Sequence, residues 1–151
     1  LFIRLALSVA AVAVLSFCGV TGKVRSAFGG HVPIEVTIDP RANEDSPVAV
    51  DLVVVYDAKL VDSLLKMPAS EWFSKKRQYL ADHGSDVEVQ GWEWVPGQTI
   101  DPFKVTYRSG ADHLVLFADY HTEGDHRAAV RPPRPFRLRL GERDFSVEVI
   151  Q

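Results

Sequence analysis

Val48-Ala49-Val50-Asp51-Leu52-Val53-Val54-Val55-Tyr56 is a strongly β-branched run, and its reading decides the fold. Branched side chains lose rotamer freedom in a helix and pack well on a pleated surface, so the run predicts a central strand. Upstream, Val32 to Ile38 reads V-P-I-E-V-T-I, with Ile34, Val36 and Ile38 on one face of a second strand. Pro33 suits a strand start or a sheet edge. The two runs are joined by DPRANEDSP (Asp39 to Pro47), a cluster of turn formers.

Downstream the period changes. Asp57 is placed to cap a helix over Ala58 to Lys66, with Leu60, Val61, Leu64 and Leu65 on one side. Pro68 disfavours helical geometry at Met67 and ends it. Ser70 predicts the cap of a second helix over Glu71 to Ala81. Phe73 at the third position rules out a capping box, and Glu71 puts negative charge in the first turn. Trp72, Phe73, Lys76 and Leu80 recur at helical spacing, and Gly84 is the expected stop. Val87 to Val95 (VEVQGWEWV) then alternates with apolar residues on both sides, as a strand covered on two faces would. Phe103 to Tyr107, His113 to Ala118, Arg127 to Val130, Phe136 to Leu140 and Phe145 to Ile150 read as shorter strands between Gly- and Asp-rich turns. Seven or eight strands with a two-helix insertion after the second predict a mainly β fold, a β-sandwich.

The N-terminus is of another kind. Arg4 is the single charge in Leu1 to Cys18; Leu5 to Phe17 is apolar apart from Ser8 and Ser16. That run is shorter than the roughly 20 residues of a spanning helix and matches an export signal. Cys18 is the chain's one cysteine. Leu15-Ser16-Phe17-Cys18-Gly19 resembles a bacterial lipobox, with Phe17 where the pattern has Gly or Ala. That resemblance implies acylation of Cys18. The organisation expected is a lipoprotein-type signal over 1–18, a glycine-bearing flexible tether over 19–31 and a β-sandwich domain over 32–151.

Charge and composition narrow the function classes. Loss of the leader removes Arg4, leaving 16 basic against 20 acidic residues, a formal charge of −4. This disfavours nucleic acid and anionic lipid as the main partner. No internal disulfide is expected in the domain, so its stability must come from packing. No Ser lies in a G-x-S-x-G elbow, and Cys18 is either consumed by processing or part of the signal, so nucleophilic catalysis has no good candidate. Glu44-Asp45 sits in a solvated turn rather than in an acid–base pair. The reading is non-enzymatic, with no catalytic residue and no cofactor.

Three groups remain as candidate sites. Asp112, His113, Asp119, His121, Glu123, Asp125 and His126 form the densest polar cluster, and Asp119 to Asp125 would share one parity if the strand ran on through Gly124. Of these, His121, Asp125 and His126 are the residues a divalent ion would use. The spacing fits no closed zinc pattern, and turn composition alone accounts for it. Arg127, Arg131, Arg134, Arg137, Arg139 and Arg143 form a basic group around Pro132, Pro133 and Pro135; Lys75, Lys76 and Arg77 form another. Arginines there can grip carboxylates. Alternation with Phe136, Leu138 and Leu140 instead marks the wet face of an edge strand. Trp72, Trp92 and Trp94 read as core, with a ligand platform as the other possibility.

Asp45-Ser46-Pro47-Val48-Ala49-Val50-Asp51-Leu52, Glu71-Trp72-Phe73, Trp92 to Gln98 and Phe117-Ala118-Asp119-Tyr120, behind a leader ending in a lone cysteine, are similar to the small outer-membrane lipoproteins of bacterial type VI secretion systems. The resemblance implies a transthyretin- or immunoglobulin-like sandwich with an added helical piece. It further implies a lipid anchor at Cys18 on the periplasmic face of the outer membrane, and docking to the periplasmic end of the large inner-membrane subunit. No partner-binding residue follows from it. The other expectation is an exported soluble sandwich that binds a glycan or a divalent metal.

Overall fold

The structure, a computed structural model, describes residues 29–151. The leader, Cys18 and positions 19–28 of the tether lie outside the described residues. Eight strands and three helical segments follow in order: β1 (Gly30–Ile38), α1 (Ala42–Asp45), β2 (Val48–Val55), α2 (Ala58–Leu64), α3 (Ala69–His83), β3 (Val87–Trp94), β4 (Phe103–Tyr107), β5 (His113–Asp119), β6 (Arg127–Val130), β7 (Phe136–Leu140) and β8 (Phe145–Val149). They form two four-stranded sheets, ordered β4-β1-β7-β8 and β3-β2-β5-β6. Every pairing is antiparallel except β1 with β7. This is the expected sandwich, with the two-helix insertion after β2.

β2 shows why the β-branched run is central. It pairs with β3 on one side and β5 on the other. Val48, Val50, Leu52 and Val54, with Leu114 and Leu116 of the same sheet, face the other sheet and pack with its Val32, Ile34, Phe136 and Leu138. Val53 and Val55 face the opposite way, under the helices, with Val115, Phe117, Leu64 and Trp72. A strand buried on both faces needs apolar residues at both parities, and this one has them. The exception is Asp51, buried on the helix side.

Strand directions sort the connections into two ends. Residues 39–47, 95–102, 120–126 and 141–144 gather at one end, where the Gly97 N–H donates to the Asp39 carbonyl at 3.1 Å. The opposite end holds Gly29, where the described chain enters β1, together with 56–57, 84–86, 108–112, 131–135 and the C-terminus. There the Asp112 N–H donates to Val55 O and the Tyr56 N–H to Asp86 O, each at 2.8 Å.

Several expectations need correction. β1 starts at Gly30, two residues before Val32, because Gly30 and His31 already pair with Tyr107 and Thr106 of β4; the Tyr107 ring occupies the space a Cβ at residue 30 would need. The second helix starts at Ala69, with Pro68 at the cap position and no side-chain cap. The Ala69 N–H donates to Asp125 O at 2.9 Å, so a tertiary bond does what Ser70 was expected to do. Gly84 ends the helix in right-handed geometry, not in the left-handed cap. β7 lies inside its sheet between β1 and β8, so its arginines do not guard an edge. β5 stops at Asp119, which removes the shared parity of Asp119, His121, Glu123 and Asp125.

Candidate docking surface

The loop end of the sandwich is built around one buried amide. In α1, Asn43 has φ 49° and ψ 43° and Glu44 has φ 53° and ψ 51°, followed by Asp45 at φ 65°. Three successive left-handed residues are costly for side chains with a Cβ, and Asn and Asp tolerate the region best. Asn43 is fully buried. Its Nδ2 donates to Pro47 O at 2.8 Å and to Asp119 O at 3.4 Å, and its Oδ1 accepts from the His121 N–H at 2.7 Å. One side chain therefore ties the β1–β2 turn to the β5–β6 loop and holds Glu44 and Asp45 outward.

The β7–β8 turn is tied to the same assembly. The Asn43 and Glu44 N–H groups donate to Gly141 O and Glu142 O at 3.2 and 3.1 Å. The Tyr120 hydroxyl donates to Gly141 O at 3.0 Å, and the Thr122 hydroxyl donates to Arg143 O. Burial raises the Tyr120 pKa well above the ordinary phenol range, with the Asp144 carboxylate adding to it, so the hydroxyl stays a donor. The His126 ring stacks on Tyr120 with centroids 5.0 Å apart. Its Nδ1 lies 2.8 Å from Asp144 Oδ1 and its Nε2 2.8 Å from Thr122 O. Outside this frame, Arg41 pairs with Glu142, Arg143 approaches Glu44 at 3.8 Å, and Arg127 pairs with Asp125 at 3.0 Å. The result is a polar surface of mixed charge on loops fixed by hydrogen bonds, which suits the recognition of another protein rather than chemistry on a small molecule.

The cluster foreseen in the sequence is split. Asp112 and His113 pair with each other at 2.7 Å at the entry end, a strand's length from Asp119 to His126. His121 and Asp125 are exposed, and both ring nitrogens of His126 are engaged, so neither is left for a cation. Among the described residues no group of three or more His, Cys, Asp or Glu could hold a metal ion. The arginines also disperse. Arg137 lies on the outer sheet face between Glu35 at 2.8 Å and Glu148 at 3.4 Å, and Glu35 raises its pKa further. Arg131 and Arg134 lie exposed at the entry end, and Arg143 in the β7–β8 turn at the other. Trp72 and Trp94 are buried and Trp92 half-buried, stacked 5.5 Å from Trp94, so all three are core. Cys18 lies outside the described residues.

Two buried polar groups went unnoticed in the sequence. Asn43 reads there as one more turn former, and only its buried neighbours reveal its role. Asp51 accepts from Trp72 Nε1 at 2.8 Å and from Lys76 Nζ at 2.9 Å, clamping α3 to the sheet. A lone carboxylate inside VAVDLVVVY was the available signal, since a buried acid requires partners.

No protein-family model matches this sequence, and no curated protein matches it. The fold does have solved counterparts. A sandwich of two four-stranded sheets with a helical insertion is shared with the type VI secretion lipoprotein TssJ1 of Pseudomonas aeruginosa, at a TM-score of 0.61 and 14% identity, over 82% of this chain and 98% of that one. Lip of Serratia marcescens, a membrane-bound component of the type VI secretion system, superposes at 0.60 with 13% identity, over 82% and 97% of the two chains. A chain in a structure of a type VI membrane complex superposes at 0.56 with 14% identity, over 80% and 98%. At these identities the fold is what is shared. It spans nearly the whole of each counterpart.

Proposed function

We propose that this chain is a lipid-anchored periplasmic docking component of a type VI secretion membrane complex, exported by residues 1–18, acylated on Cys18 and held at the outer membrane. The observation that carries the reading is the fold held in common with a lipoprotein and a membrane-bound component of that system over 98% and 97% of their lengths. The lone cysteine at the end of the apolar leader supports the anchor. One acyl chain binds a membrane marginally, whereas two or three hold stably. The geometry supports docking. The described chain enters at Gly29, and the hydrogen-bonded loops 39–47, 120–126 and 141–144 stand at the far end of the strands, turned away from an anchor on the N-terminal side. The partner by this reading is the periplasmic end of the large inner-membrane subunit.

Fractionation of cells making the full chain tests the anchor. Wild type is expected in the outer-membrane fraction and Cys18→Ser in the soluble periplasm; a Cys18→Ser protein that stays with the membrane refutes it. Co-purification with the large inner-membrane subunit tests the docking. Reversing charge in the loops, with Glu44→Lys and Arg143→Glu, is expected to weaken recovery of that subunit. Undiminished recovery would move the contact elsewhere.

A further inference from the structure

β3 has an edge that the molecule does not guard. We propose that the free edge of β3 is a second docking site, taking an extended Lys- or Arg-bearing segment of a partner protein as a fifth strand on the β3-β2-β5-β6 sheet. Exposed edges present unpaired N–H and C=O groups to any passing strand, and proteins blunt them with short length, lysine, proline or bulges. The other edge strands here are short: five residues in β4, four in β6 and five in β8. β3 has eight, with no proline. It pairs with β2 in unbroken register from Val48 opposite Trp94 to Val55 opposite Val87, so no bulge twists it away. Among the described residues its backbone has no backbone partner on the other side. Only side chains cross there: Gln90 Nε2 donates to Thr106 O at 3.2 Å, Arg108 pairs with Glu88 at 3.0 Å and the Trp92 ring packs 5.4 Å from that of Phe103, among the described residues.

Exposure and charge identify the occupant. Val87 is buried on the helix side, but Gly91 and Glu93 on the same row are exposed. Just past the strand, Val95 has its N–H and C=O bonded to Gln98 at 3.1 Å each, but its side chain is 52% exposed, a large apolar group in water that the end of an added strand would cover. From Val87 through Pro102 the chain carries Glu88, Glu93 and Asp101 and no lysine or arginine. Glu88 is taken by the Tyr56 hydroxyl at 2.6 Å and by Arg108 at 3.0 Å. Glu93 has no ion pair among the described residues. A basic residue opposite Glu93 and an apolar one over Val95 are therefore the complement. Two copies meeting edge to edge would bring the same acids twice and no base, which disfavours self-pairing. Strand addition obtains its affinity from main-chain hydrogen bonds and its selectivity from alternate side chains.

The test uses the full chain, isotope-labelled, with the peptide Thr-Val-Lys-Val-Lys-Val-Thr and a counterpart carrying Glu for Lys. The expected result is that alternate amides across 88–94 shift and exchange about tenfold more slowly at saturation, as newly paired groups do. The basic peptide should bind about threefold to fivefold more tightly than the acidic one, and Glu93→Lys, an exposed change, should reverse that order. Perturbation confined to the loops, or no response of β3, overturns the proposal. So does protection of β3 that grows with protein concentration without peptide, which would mean a second copy occupies the edge. The readout is in solution and does not depend on Cys18, so its failure is distinct from failure of the anchor.

Discussion

Single residues carry the loop end and the helix clamp. Asn43→Ala removes three hydrogen bonds, leaves the His121 N–H and Pro47 O without their partner, and keeps a Cβ in left-handed geometry. A loss of about 2–3 kcal/mol is expected in urea unfolding. Asn43→Gly forfeits the same bonds but relieves the backbone, and should be milder by about 1 kcal/mol. Equal losses would show that the left-handed turn is unstrained. Asp51→Ala strands the Trp72 indole N–H in the core and should cost about 2–3 kcal/mol; Asp51→Asn keeps an acceptor for it and should cost about 1 kcal/mol. The tyrosines set the behaviour in alkali. Burial raises the hydroxyls of Tyr56, Tyr79, Tyr107 and Tyr120 above their ordinary value of 10.0, so the folded state keeps protons that the unfolded chain releases. Their contribution is whole below about pH 10 and fades as pH climbs past it. Tyr120→Phe is expected to be less stable at pH 7 by about 1 kcal/mol yet to decline less steeply above pH 10. A slope equal to wild type would mean that Tyr120 is not among the groups responsible.

At the scale of elements, the insertion is held by an aromatic stack. Trp72 on α3 lies over Phe117 on β5 with centroids 4.9 Å apart and planes 8° from parallel, and is fully buried. Trp72→Ala opens the second core and should cost about 3–5 kcal/mol, read as a lowered denaturation midpoint. A loss under about 1 kcal/mol would mean that α3 is a dispensable cover. The strands could be read from the sequence because their signal is local: alternation in β1 and β3, β-branching in β2, and Gly or Asp between. The cap at Asp57 was equally local, its side chain accepting the Lys59 N–H at 2.9 Å. What escaped was set by distant partners. Pro68 caps α3 because Asp125 supplies the carbonyl, and β7 is internal because it pairs in parallel with β1, across the two-helix insertion and five strands. The loop assembly around Asn43 stayed hidden for the same reason. Asn43, His121 and Gly141 are far apart in the chain and meet only once the sheets have closed.

For the whole molecule, the sorting of connections by end governs how the domain bears load. Gly29 and Gln151 lie at one end, and the hydrogen-bonded loops around Asn43 at the other. β1 begins where the chain enters and lies inside its sheet, with Phe103 to Tyr107 on one flank and Phe136 to Leu140 on the other. No helix among the described residues is long and apolar enough to cross a membrane. A pull on Gly29 against fixed loops 39–47, 120–126 and 141–144 runs along the strand axis. It shears the ladders on both flanks of β1 together, so many bonds must yield at once. A pull between Gly29 and Gln151 instead peels β8 from the open side of its sheet one rung at a time, since Val149 is the outermost rung there. In optical tweezers the first direction should require the greater rupture force. The sandwich therefore resists tension drawn from one loop end to the other, the direction in which the proposed anchor and partner would pull, and yields to tension between Gly29 and Gln151.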